Sequence, residues 1–110
     1  RTYGTRRKNG TERAMPDYRL TKRAEKDIED IARYTIGQYG IEQARTYRDL
    51  LNARLESIVE NPRIGKKIDY IREGYRCFSH RSHAIFYKIV GRDILIIRVL
   101  HKRMFAPLHL

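Results

Sequence analysis

The chain has 110 residues, enough for one modest core, and its 41% hydrophobic content excludes a largely disordered polymer. A net charge of +11 and a pI of about 10.2 favour an acidic or polyanionic partner: nucleic acid, ribosome, membrane surface or an acidic protein segment. No apolar stretch approaches the roughly 20 residues of a membrane span, and the lone Cys77 rules out an internal disulfide and fits a reducing cytoplasm. The charge is uneven. Residues 1–14 hold five basic side chains against one acidic, residues 15–60 eight against nine, and residues 61–110 eleven against three.

Residues 1–14, RTYGTRRKNGTERA, lack apolar periodicity. They read as a basic N-terminal extension or a vector-derived remnant, with translation starting at Met15-Pro16 and residues 15–110 forming a single domain. Asp17 to Leu20 predicts a short first strand. Thr21 then caps a helix whose stripe is Ala24, Ile28, Ile31, Ala32, Thr35 and Tyr39. Gly40 is placed to end that helix in a left-handed conformation. A second helix carries Ala44, Tyr47, Leu51, Leu55, Ile58 and Val59, and Asn61-Pro62 stops it. So tight a link predicts an antiparallel helical hairpin. Arg63 to Gly74 reads as a loop with a short edge strand at Ile68–Ile71. Three strands follow: Tyr75–His80, His83–Val90 and Asp93 to about His101, joined by the two-residue turns Arg81-Ser82 and Gly91-Arg92. The last is apolar on both faces, as a central strand would be. The fold class is α+β, in the order β-α-α-β-β-β, with the hairpin packed on a small antiparallel sheet.

Five segments in this order carry a family resemblance: YRLTKRAEKDIEDIARYT, ENPRIGK at Glu60–Lys66, IREGYR at Ile71–Arg76, SHAIFYKI at Ser82–Ile89 and IIRVLHKRM at Ile96–Met104. From Asp17 to about Met104 the chain resembles the ParE branch of the RelE/ParE toxin superfamily. The resemblance implies a type II toxin, neutralised in a hetero-oligomer by a ParD-like antitoxin and serving plasmid or chromosome stabilisation. It implies a toxin that poisons DNA gyrase and blocks replication without chemistry of its own. Operator DNA would be met only through the antitoxin complex. Neither cofactor nor metal is implied. In that pattern an acidic residue follows the RVLH run, whereas here Phe105 and Ala106 follow Met104.

An antitoxin tail that folds on binding would lay acidic and apolar residues along the hairpin. Tyr34, Tyr39, Tyr47 and Leu51 are the expected apolar anchors, and Arg33, Arg45, Arg48 and Arg54 the expected carboxylate partners. Each of these arginines also reads as an ordinary solvated helix charge. Target contact is expected on the basic end of the last strand, Arg98, His101, Lys102 and Arg103, with Arg76 and Arg81. Arg98 interrupts an apolar strand, so it is either paired within the fold or aimed into a cleft.

Two other readings use the same residues. A ribosome-dependent mRNA endoribonuclease of RelE/YoeB type needs a base, an acid and cations for phosphate. His101 would be the base or acid, Arg76, Arg81 and Arg98 the phosphate holders and Tyr87 a stacking ring. Against it, the acids of this half are Asp69, Glu73 and Asp93, none placed to face His101 by pattern, and the tail lacks an aromatic ending. A plain nucleic-acid-binding module would use the same charge with Tyr75, Phe78, Phe86 and Tyr87, rings that a core explains equally well. His80 and His83 flank a turn and read as solvated, with no third metal ligand evident.

Overall fold

The computed structural model describes residues 4–5, 15–104 and 106–110. Strand β1 is Gly4–Thr5 and β2 Tyr18–Leu20. Helices α1, Lys22–Tyr39, and α2, Ile41–Glu60, follow. Strands β3, Lys66–Lys67, β4, Tyr75–His80, β5, His83–Val90, and β6, Asp93–His101, complete the sheet, and a 3-10 turn at Ala106–Leu108 ends the chain. The strands lie in the order β1-β2-β6-β5-β4-β3. The reading of residues 1–14 as an extension falls outside the described residues, apart from Gly4–Thr5, which pairs with Leu20 and Arg19.

Thr21 caps α1 as its sequence position predicts. Its hydroxyl accepts from the Ala24 amide (3.0 Å) and donates to the Ile97 carbonyl (2.8 Å), so one side chain ties helix start to sheet. Gly40 ends α1 with its amide on the Ile36 carbonyl (2.9 Å). Its φ of 94° needs glycine, but its ψ of 168° lies outside the left-handed helical well, because the next residue already begins α2. The two helices pack on one sheet face around Leu51, Leu55, Ile58, Ile85, Tyr87, Ile94, Ile96 and Val99. Full burial of such side chains stabilises by about 1.5–3 kcal/mol each. Ala84, Phe86 and Leu100 alternate with these along β5 and β6 and face the other side. There they meet Ile68, Ile71, Ala106 and Leu110 from the preceding loop and the C-terminal tail. Strand β6 is therefore buried on both faces, between β2 and β5.

Two expectations are corrected. The sheet is mixed, because β2 runs parallel to β6, with Tyr18 beside Ile94 and Leu20 beside Ile96. No hairpin turn joins these strands, so nothing in the chain imposes an antiparallel sense on them. The short edge strand is Lys66–Lys67 rather than Ile68–Ile71. Ile68 is drawn into the core, and the chain turns there, with the Ile71 and Arg72 amides on the Ile68 carbonyl at 2.8 and 3.1 Å.

The loop after α2 is locked from below by Tyr87. Its hydroxyl donates to the Pro62 carbonyl (2.7 Å) and accepts from the Gly65 amide (2.8 Å). A Cβ on Gly65 would lie 2.5 Å from that hydroxyl, so the approach requires glycine.

Candidate functional site

The two hairpin turns fix which side chains share the end of the sheet. Arg81-Ser82 sets His80 opposite His83. In an unbroken ladder from the Val90–Asp93 pair, His83 would meet Leu100. A bulge between Phe86 and Tyr87 shifts the register by one residue and sets His101 opposite His83 instead. Three imidazoles thus lie in a row across β4, β5 and β6. Tyr47 reaches them from α2, sharing a 2.8 Å hydrogen bond between its hydroxyl and His83 Nδ1. Its ring lies 5.2 Å from that of His80, and the His83 and His101 rings are 5.4 Å apart.

Tyr47, His80 and His83 are each held towards their uncharged forms. Burial pushes the Tyr47 hydroxyl up to about 12, against the opposing pull of Arg81. Burial, then the charges of Arg54, Arg81 and His83, hold His80 below the ordinary histidine value. Burial and then His101 do the same for His83. The Arg103 amide donates to His101 Nδ1 (3.1 Å). The reading of His80 and His83 as solvated turn residues is therefore wrong: His80 is 3% exposed and His83 half-buried. No group of three metal-ligating side chains with the geometry for an ion occurs among the described residues.

Of the six residues expected to contact a target, four share this end. Arg81 occupies the β4–β5 turn, His101 ends β6, and Lys102 and Arg103 follow, with the Lys102 amide on the Ser82 carbonyl (2.8 Å). Arg81, Lys102 and Arg103 are exposed. The other two are engaged elsewhere. Arg98 grips Asp27 of α1 in a bidentate pair, Nε to Oδ2 at 2.8 Å and Nη2 to Oδ1 at 2.9 Å, and donates to the His109 carbonyl (3.1 Å). The Asp27 hydrogen bonds raise its pKa further. Both side chains are below 15% exposed, at 14% and 12%. The expectation of Arg98 as a free contact is corrected: it is a clamp, because its guanidinium bends to α1 where β2 has ended. Arg76 sits at the opposite end of β4 and holds the Gly65 carbonyl (2.7 Å).

The nuclease constellation is not assembled either. Tyr87 is fully buried under the Gly65 loop, and Arg76 and Arg98 are tied as described. Asp93 stands at the other end of β6 from His101. The acids that do approach His83 and His101 are Asp27 and Asp30 of α1, which line one cleft of ≈ 370 Å³ with them. Asp27 is already satisfied there by Arg98 and the Val99 amide (3.0 Å), and Asp30 by Lys26 and Arg33.

The expected antitoxin residues divide in the same way. Tyr34 and Tyr39 are exposed, at 63% and 67%. Arg45 and Arg48 rim a groove of ≈ 310 Å³ with Ala32, Ile36, Ile41 and Ala44. Arg33 and Arg45 make only surface pairs, with Asp30 and Glu42. Leu51 is a correction: at 1% exposed it belongs to the core and cannot anchor an incoming tail. Tyr47 is half-buried among the histidines, and Arg54 lies over the Phe78 ring (5.1 Å). Sequence reasoning missed the bond of Tyr47 to the histidine row and the pairing of Asp27 with Arg98.

With this geometry in place, the likeness to known proteins is specific. The family described as ParE toxin of type II toxin-antitoxin system, parDE, matches residues 18–105. Toxin ParE1 of Caulobacter vibrioides is 44% identical over 96 residues, covering 87% of this chain and 99% of that protein. Toxin ParE1 of Mycobacterium tuberculosis H37Rv is 39% identical over 88 residues, covering 79% and 90%. A solved chain described as the chromosomal ParDE TA system from P. aeruginosa superposes with a TM-score of 0.68 at 19% identity, covering 79% of this chain and 95% of that one, a likeness of fold.

Proposed function

The chain belongs to the ParE toxin family of type II toxin–antitoxin systems, and from that membership we propose that it poisons DNA gyrase and is silenced by a ParD-like antitoxin. In this reading it is a toxin without chemistry of its own, acting in the cytoplasm as an inhibitor of another enzyme and stabilising the cleaved-DNA state of gyrase. Among the described residues no helix is long and apolar enough to cross a membrane. The observation that carries target contact is the cluster of exposed cations Arg81, Lys102 and Arg103 around His101, on the rigid end of three strands. Cations there suit an acidic protein surface or the DNA that gyrase holds.

The antitoxin's seat is the outer hairpin. Exposed Ile36 and Ile41 line a groove with Arg45 and Arg48, matching an amphipathic acidic segment that folds as it binds, whereas exposed Tyr34 lines the cleft of His83 and His101. The two surfaces share no residue, so they can be tested apart. Lys102→Glu with Arg103→Glu should abolish growth arrest and restore normal supercoiling of a reporter plasmid, while the antitoxin still co-purifies. Unchanged arrest in that folded variant would remove the sheet end from the target site.

A further inference from the structure

We propose that the cleft between α2 and the β4–β5 turn is an oxyanion site that takes a phosphate group. The cleft measures ≈ 320 Å³ and is lined by Leu50, Ala53, Arg54, Ser57, His80 and Arg81. His80 gives the first argument. It is 3% exposed, yet neither Nδ1 nor Nε2 has a hydrogen-bond partner. A neutral imidazole always carries one N–H, and a buried donor without an acceptor is costly. An acceptor entering the cleft from outside removes that deficit.

Charge gives the second argument. Arg54 and Arg81 both act on His80 with positive sign. Neither pairs with a carboxylate among the described residues. Arg54 is steadied by the Phe78 ring beneath it. Arg81 adopts a φ of 56°, a left-handed conformation that arginine takes less readily than asparagine or glycine. Two cations, an imidazole N–H and the Ser57 hydroxyl, now donating to Ala53 (3.1 Å), surround one space. That places four donor groups around one cleft, and a phosphate has oxygens enough to accept from several of them. The phosphate can be a small free anion or one phosphodiester of a nucleic-acid strand.

Protonation should be linked to occupancy. Tyr47 and Arg54 face His80 from α2, Arg81 from the turn and His83 from β5, with His101 behind His83. No carboxylate is among these groups, so a bound phosphate would be the anion that favours imidazolium, and binding of a phosphodiester, whose charge is constant over this range, should tighten as pH falls from 8 towards 6. None of this depends on the target proposed above, and the test uses no gyrase.

The experiment is an NMR titration of the full chain at constant ionic strength, first with inorganic phosphate, then with a short single-stranded DNA. We expect saturable shifts of the His80 ring nitrogens and of the Arg81 and Ser82 amides. Arg54→Ser with Arg81→Asn, both at exposed positions and the second suited to the left-handed backbone, should weaken binding about tenfold or more. If DNA reproduces the His80 shift at lower concentration, a phosphodiester is the source. If only inorganic phosphate does, the site serves a small anion. Absence of a His80 shift with both probes, or equal affinity in the double variant, overturns the proposal.

Discussion

Asp27 ties α1 to β6. It holds Arg98 by two bonds and the Val99 amide by a third, closing the edge that β2 leaves open. Removing one member of a largely buried pair strands the other, so Asp27→Ala should destabilise by about 3 kcal/mol. Replacing both, as in Asp27→Leu with Arg98→Met, should recover most of that loss, since apolar substitutes avoid the desolvation penalty. A double-mutant cycle by urea unfolding measures this, and a coupling below about 1 kcal/mol would contradict it. Arg98 was legible as an anomaly within an apolar strand, but its partner was not, since 71 residues separate them. Tyr87 makes the same point. Its place in an apolar run was visible, and its contact with a glycine 22 residues earlier was not. Tyr87→Phe leaves the Gly65 amide and Pro62 carbonyl without their partner and should cost about 1–3 kcal/mol, read by the same unfolding curves.

At the scale of elements, local signals were sufficient where turns dictate geometry. Arg81-Ser82 and Gly91-Arg92 delimit β4, β5 and β6, and Thr21, Gly40 and Asn61 delimit the helices. Register was not legible past the bulge at Ile97 of β6, and register is what assembles the histidine row. A bulge adds one residue without a composition signature of its own, so His101 could not be set against His83 by spacing. The row makes a pH prediction. His80 and His83 are held below the ordinary value of about 6.5, so the unfolded chain binds more protons than the native one just below that pH. Their stabilisation is complete above about pH 6.5 and is lost as pH falls through the depressed native values. In phosphate-free buffer the melting temperature should drop between pH 7.5 and 5.5. The drop should shrink in a His80→Gln, His83→Gln variant. An equally steep drop in that variant would assign the effect to other groups.

At the scale of the molecule, the charge asymmetry of the sequence separates a near-neutral helical half from a basic sheet half. Under the proposed function the helical half, with the groove of Ile36, Ile41, Arg45 and Arg48, would meet an antitoxin, and the basic half would meet a target at the sheet end. Arg45→Glu with Arg48→Glu should weaken antitoxin binding about tenfold by isothermal calorimetry and leave toxicity intact. Loss of toxicity with antitoxin binding unchanged would reverse the assignment. Of the expected antitoxin anchors, Tyr34 and Tyr39 lie on the surface, open to a partner. Leu51 misled because it shares their helical spacing while facing the sheet.

The most direct measurement is a supercoiling and DNA-cleavage assay with purified gyrase and the full chain, with and without a ParD-like antitoxin. The account predicts lost supercoiling and accumulated linear DNA, both reversed by the antitoxin. Undisturbed gyrase, in a preparation that still arrests growth, would contradict it and direct attention to the translating ribosome.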